Sequence, residues 1–489
     1  MGSQTKVFSG LRWLFMLCFG VAVWCVITVY APLIGALLFL TGLLIVVSRT
    51  NVSRGGGQAA GWNFSVFLFA LSLLIHGAAV ALLTTPIESD FALQYEASQQ
   101  FARGDYSFQE TAYFQRWGYQ TGLVIWQGTL LKLWNTPLFL QMVNCVVASA
   151  TNVLVYRIAR DYFEERAARL AGLSYAFFLF PATLVTVLCN NIPSAFFLYV
   201  GLYLVMGKCF ANKPRPMVYA LAGASLAVAN ALRPDAPLVL VPLLAYFVFR
   251  MVAKGGWKQR LATFSKLAVL LVTFLALSQG MSALVQVTGV NAAGLQNHDP
   301  LWGTVVGTNT AFGGTYNNQD GPAIQALVEQ GLSRSQAEWT LIKGHLDVSP
   351  AALLELGAKK MHTLWWDGAL EWSMGNLRKN TPELFALLEE LDRAMFTCAF
   401  FLAALGAVAL FRKPQGELKL YLLPFIFFAT SCVYLLLEVQ PRYAYVGQIA
   451  VFILMAGGVE VLCTVGERLW KKGGASALVK RPVSRKREG

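Results

Sequence analysis

Apolar runs long enough to cross a bilayer recur along almost the whole chain, at 11–30, 31–48, 62–86, 136–156, 168–188, 192–207, 217–232, 236–249, 267–288, 392–411, 420–437 and 443–463. A helix needs about 20 apolar residues to span hydrocarbon, and shorter ones are tolerated inside a bundle. The sequence therefore predicts an all-α polytopic membrane protein with about 12 transmembrane helices. Its surface chemistry agrees, because 56% of the 489 residues are hydrophobic and only 13% are charged, where soluble domains carry roughly a quarter. The run 11–30 is followed directly by a second span, so it is expected to remain as an anchor rather than be cleaved.

Charge distribution orients the bundle. Short loops holding Arg157, Arg160, Arg166 and Arg169, then Lys208, Lys213 and Arg215, then Arg250 to Lys266, are rich in cations, as is the tail from Arg468 to Arg487. Cationic loops resist translocation, which places them and both termini in the cytoplasm. The formal net charge of +13 is then an orientation signal and not a nucleic-acid footprint, because the cations lie in loops beside lipid. No nucleic-acid partner is expected; the bilayer is. The segment from Tyr119 to Trp134 would reverse every later loop if it spanned, so it is expected to be an interfacial helix.

Five regions follow: an amino-terminal hairpin and cytoplasmic loop (1–61), a transmembrane core (62–288) containing a first external loop (87–135), a large external segment (289–391), carboxy-terminal spans (392–466) and a basic tail (467–489). In the large segment Ser333 with Gln336 has capping-box spacing, and Ser349-Pro350 and Thr381-Pro382 put a capping oxygen before a helix-starting proline. It should be a mixture of loop and short helices. The eight cysteines have no close pairs, giving neither zinc spacing nor a disulfide framework.

Polar chemistry should concentrate outside. Thr85-Pro86-Ile87-Glu88-Ser89-Asp90-Phe91 leaves the third span with two carboxylates at the membrane surface; the alternative is that they simply mark a solvated helix end. Arg233 and Arg442 lie on the side that the charge rule disfavours. Either could snorkel at the interface or bind phosphate, and Asp235 could neutralise Arg233. Arg116 is a further candidate. Asn190 and Asn191, before Pro193, could cap a helix or touch a ligand. Asn309, Tyr316 and Asn317, in a Gly-rich stretch, combine amides with an aromatic ring, which suits a sugar and equally suits a tight turn. His298, His345 and His362 are too scattered for a ligand set, so ligand spacing does not support a divalent metal, which the sequence leaves open, and it identifies no cofactor. Trp365, Trp366 and Trp372 are expected to dip into the headgroup layer, with sugar stacking the other reading.

Ser89-Asp90-Phe91 with Tyr95 and a Gly104 turn, then Arg233-Pro234, then Pro441-Arg442-Tyr443 before the last span resemble, in order and side, the GT-C glycosyltransferases. Similarity is greatest to the dolichyl-phosphate-mannose protein mannosyltransferases and bacterial relatives such as the lipid A aminoarabinose transferases, over roughly residues 60–465. The resemblance implies a GT-C-like fold, a sugar donor on a polyprenyl phosphate, transfer on the external face to a cell-envelope glycan, lipid or protein, and Asp90 in the catalytic position with Glu88 as a second member. It also implies donor-phosphate binding by Arg442, Arg233, Arg116 and Tyr443, and sugar or acceptor contacts from Asn190, Asn191, Asn309, Tyr316 and Asn317. Relatives often carry an acid where this chain has Asn190-Asn191, which weakens a two-carboxylate or metal-assisted mechanism at that turn. A bacterial plasma membrane is the expected location. The competing reading is a transporter or lipid-linked-sugar flippase, for which His76 and Glu460 are the main ionisable residues inside spans.

Overall fold

The computed structural model describes residues 58–210, 215–253, 256–410 and 415–479. The expected spans 11–30 and 31–48, and residues 480–489 of the basic tail, lie outside them. Among the described residues the chain is helical, with no β-strand and one isolated bridge, Trp117 to Asn297. A first group of helices comprises α1 (Gln58–Leu82), α2 (Asp90–Ala102), α3 (Ala112–Arg116), α4 (Thr121–Leu131), α5 (Pro137–Tyr162), α6 (Glu165–Phe177), α7 (Leu179–Leu184), α8 (Asn191–Met206), α9 (Arg215–Leu232), α10 (Pro237–Ala253) and α11 (Trp257–Val287). The segment after it holds α12 (Trp302–Thr308), α13 (Asp320–Glu329), α14 (Arg334–Leu346), α15 (Pro350–Trp365) and α16 (Gly375–Asn380). The chain closes with α17 (Pro382–Leu410), α18 (Leu422–Leu436) and α19 (Tyr445–Val479).

Among the described residues six helices are long and apolar enough to cross a membrane: Trp62–Leu82, Pro137–Tyr162, Trp257–Val287, Pro382–Leu410, Leu418–Leu436 and Pro441–Val465. Asn191–Met206, Pro216–Leu232 and Pro237–Val252 are apolar but shorter. The expected span 168–188 is not one helix. It breaks at Phe178 between α6 and α7, because Pro181 has no N–H and its ring clashes with the carbonyl four residues back. The freed N–H of Phe180 donates to Asp392 Oδ1 at 2.8 Å, a buried carboxylate on α17.

The last span is the hub of the bundle. Within Pro441–Val465, 78% of its most apolar window is buried, against 17% in Trp257–Val287, whose sides remain bare for lipid. Its closest neighbour is α17. A Cβ on Gly458 would lie 1.9 Å from Leu402 O, and one on Gly406 2.5 Å from Leu454 O. Small residues let the two backbones approach, the usual route to tight packing where lipid is as apolar as the side chains.

The stretch 119–134 forms a short helix, α4, that packs against α2 and α9 along one side, with Leu133 and Trp134 exposed just beyond its end. A Cβ on Gly122 would overlap Ala231 O of α9, and Gly128 abuts Phe101 of α2. Trp365 and Trp366 are buried, not in an exposed layer. Trp365 stacks on Phe427 and Phe396, and Trp366 meets Phe400 edge-on, which roots the 289–391 segment in the helix bundle through aromatic area.

Candidate active site

The site forms where the α1–α2 linker, the starts of α8 and α10, and the connection between α18 and α19 converge. Pro86 lies in the linker just beyond α1, and the Thr85 hydroxyl ties that linker down, lying within hydrogen-bond distance of Thr186 Oγ1 (2.6 Å) and Ser373 O (2.8 Å). Ser89 then takes φ 56°, the only positive φ outside glycine among the described residues. Such a conformation costs of order 1–3 kcal/mol and persists only where its surroundings fix it. It makes Asp90 the first residue of α2, where the helix dipole favours a carboxylate. Asp90 is solvent-accessible yet recessed: burial raises its carboxyl above the ordinary range, and the charge of Arg442 opposes the shift.

Arg442 is caged by rings. Its guanidinium carbon sits 4.9 Å from the centre of Phe91, 5.3 Å from Trp372 and 5.5 Å from Tyr443. Aromatic faces hold a cation without neutralising it. Nε of Arg442 is buried without a hydrogen-bond partner. Arg233 is held differently: it pairs with Asp235 at 2.7 Å, donates to Asn190 Oδ1 at 3.3 Å and lies 4.8 Å over Tyr443. Its charge is largely answered from within the protein.

The asparagines bridge these cations. Asn190 Nδ2 donates to Gln120 Oε1 (3.4 Å), and Asn191 Nδ2 to the carbonyl of Arg442 (3.3 Å). Asn190 is the N-cap residue of α8, but its side chain makes no capping hydrogen bond. Asn191 Oδ1 is buried and unpartnered.

Sequence reasoning overlooked a second carboxylate here. Glu438 lies four residues before Arg442, and burial raises its carboxyl, with Gln440, Arg442 and Arg233 opposing and Asp90 adding to the rise. Gln440 Nε2 donates to Glu438 Oε1 at 2.7 Å. Tyr113 and Tyr119 also face the site. Burial raises both phenols, Tyr119 to about 12, and the charge of Asp90 adds to each. An acid and a base closely spaced in a short outer connection, as in Glu438-Val439-Gln440-Pro441-Arg442, was the available signal.

Other expected residues lie apart from this cluster. Glu88 is exposed on the linker. Arg116 pairs with Asp299 at 3.3 Å, in a group completed by Arg334 and Glu338. Asn309 and Asn317 are buried and spend their amides on Asp320, at 2.9 and 2.8 Å. Tyr316 is 60% exposed. His345 is satisfied by Val305 O, and His362 by Asp367 at 3.0 Å. No group of three or more metal-type ligands occurs among the described residues.

This is a multi-pass membrane protein, with charged groups of both signs gathered at one end of its helices. Residues 123–278 match the family described as dolichyl-phosphate-mannose-protein mannosyltransferase. No curated protein matches. Among solved structures, the chain is similar to the archaeal oligosaccharyltransferase AglB from Archaeoglobus fulgidus in complex with an inhibitory peptide and a dolichol-phosphate, at 14% identity and TM-score 0.45, over 87% of this chain and 52% of that one. The Archaeoglobus fulgidus oligosaccharyltransferase in its apo form gives 13% identity and TM-score 0.44, over 89% and 54%. The chain thus spans about half the length of either enzyme.

Proposed function

We propose that the chain is an inverting glycosyltransferase, moving a sugar from a polyprenyl-phosphate donor to a hydroxyl of a cell-envelope acceptor outside the cytoplasm. The observation that carries this reading is Arg442: a ring-caged cation with a buried, unpartnered Nε, electrostatically coupled to a recessed acid at position 90. A lipid phosphate gains negative charge as its bond to the sugar breaks, and a preorganised guanidinium stabilises that charge. Phosphate also matches the planar donor fork of arginine.

In the proposed reaction, ionised Asp90 accepts the proton of the acceptor hydroxyl while its oxygen attacks the anomeric carbon. The bond from that carbon to the phosphate oxygen breaks, and its electron pair leaves with the lipid phosphate. One displacement inverts the configuration. Burial makes Asp90 a stronger base than a free carboxylate. Glu438 and Arg233 set the field around both groups. Asn191, through the Arg442 carbonyl, and the Asn190–Arg233 bond support the cationic wall.

The test is incubation of purified protein with a panel of polyprenyl-phosphate sugars and an acceptor extract, following release of free lipid phosphate. Release with one donor class, at inverted configuration, is the expected result. Absence of release with every donor, from protein that still binds them, would favour carriage of the lipid over transfer.

A further inference from the structure

The joint between α3 and α14 holds a buried pair of acids outside the candidate active site. Asp299 and Glu338 expose only 1% and 2% of their side chains. Asp299 Oδ2 faces two guanidinium groups, Arg334 Nη2 at 2.7 Å and Arg116 Nε at 3.3 Å. Glu338 Oε1 lies 3.1 Å from Arg334 Nε, one turn back on α14. Even so, Asp299 Oδ1 and Glu338 Oε1 are both buried and receive no hydrogen bond, while the two carboxyls approach within hydrogen-bonding reach of each other. Two ionised carboxylates bring acceptors and no donor, so their contact is repulsive. A proton on one of them turns the contact into a hydrogen bond.

Burial and the neighbouring Asp299 raise the Glu338 carboxyl from 4.5 to about 8, against the pull of Arg334 and Arg116. Other ionisable groups on the elements around α14 are occupied elsewhere. His298 turns its ring to Ala293 O, and α12 carries no ionisable side chain. On α13, Asp320 is taken by Asn309, Asn317 and His345, and Glu329 by Gln325.

The pair sits where two distant stretches of chain are stitched together. His298 N donates to Arg116 O at 2.9 Å, Tyr119 N to Gln296 O at 3.2 Å, and Trp117 and Asn297 form the isolated bridge. Asp299 follows directly and ties this stitch to the start of α14 through Arg334. Tyr119, on which the charge of Asp90 acts, is thus anchored at the same joint.

We infer that Asp299 and Glu338 share a single proton, and that this proton makes the joint between α3 and α14 a pH-sensitive clasp, tight in acid and loosening towards alkali. The clasp does not depend on the catalytic reading of Asp90. With the proton in place, Glu338 donates to Asp299, which keeps its other oxygen for Arg116 and Arg334. Opening the joint lets water reach Glu338 and releases the proton. From 4.5 to about 8 the closed joint holds a proton that the opened one has lost, so opening becomes easier as pH rises through that window and levels off above it.

Hydrogen exchange of the full chain in detergent, read by mass spectrometry on peptides covering 116–120 and 296–299, tests this. Variants are compared at the same pH, so intrinsic exchange rates cancel. Glu338→Gln replaces the shared proton by an amide that donates at every pH. The ratio of exchange in wild type to exchange in Glu338→Gln should climb across the window, by up to about tenfold per pH unit, and flatten beyond it. Glu329→Gln, at an exposed acid of α13, should follow wild type throughout. A ratio that stays flat across the window, or a Glu329→Gln profile that departs from wild type as Glu338→Gln does, would overturn the assignment. If Glu338→Gln does not assemble, wild type alone decides: its exchange, normalised to free peptides of the same sequence, should rise in the same window, and no rise would refute the clasp.

Discussion

Asp90 and Arg442 act on each other, and their coupling has a measurable sign. Asp90→Asn keeps the shape of the side chain and removes its basicity, so transfer should fall by about 10²- to 10⁴-fold with insertion and folding retained, as read by lipid-phosphate release from detergent-purified protein. The pH profile of kcat/KM is the finer test. Because burial raises the Asp90 carboxyl, activity should decline on the acid side at a pH above the usual carboxylate range. Arg442 opposes that rise, so Arg442→Ala should move the acid limb to still higher pH and weaken donor use by about tenfold to a hundredfold. An unmoved limb would separate the two residues. Asp90, Arg442 and Arg233 were legible in the sequence because a charge beside an apolar run is conspicuous. Glu438 was not singled out, since its proximity to Asp90 comes from folding two connections together that are hundreds of residues apart.

The connection from α18 to α19 is held from outside the bundle. Glu438 N donates to Gly303 O and Val439 N to Gly314 O, at 2.6 and 3.0 Å. Gly314, at φ 75°, lets the Lys360 side chain pass, because a Cβ there would lie 2.8 Å from its Cδ and Cε. The fully buried Lys360 donates to Gly307 O at 2.6 Å and Leu435 O at 2.9 Å. One ammonium thereby joins the carboxyl ends of α12 and α18, where helix dipoles favour a cation. Lys360→Met should orphan both carbonyls and destabilise the protein by about 1–3 kcal/mol for each, visible as a lowered Tm. Burial also lowers the Lys360 pKa from 10.5 to about 8. Between those values the unfolded chain binds more protons than the folded one, so this group's share of stability rises with pH across the window and is least below it. The Tm advantage of wild type over Lys360→Met should accordingly widen from pH 8 upward. The helix starts at Ser333 and Ser349 were readable from capping spacing, and both caps form. Lys360 was unreadable: nothing local distinguishes a lysine that threads past a glycine from one on a solvated face.

At the scale of the molecule, hydropathy located the apolar helices among the described residues, because the bilayer imposes one length on every spanning segment. It missed the break at Phe178, where the missing backbone partner comes from Asp392 on a distant helix. The charge rule gives an orientation that can be checked chemically. Cys209 is exposed at the end of the bundle remote from Asp90, whereas Glu88 is exposed next to Asp90. In a variant keeping Cys209 as the reactive thiol, an impermeant maleimide should label it only from the cytoplasmic side, and a cysteine placed by Glu88→Cys only from the other. Labelling of both from one face would refute opposed ends.

The bonds from Gly303 and Gly314 to residues 438 and 439 also constrain how substrates arrive. A covering segment fastened to the same backbone that carries Glu438 and Arg442 cannot lift like a hatch without dragging the charged wall away with it. On the proposed reading, a lipid-borne donor would then load sideways, from the bilayer between helices, while the roof stays shut.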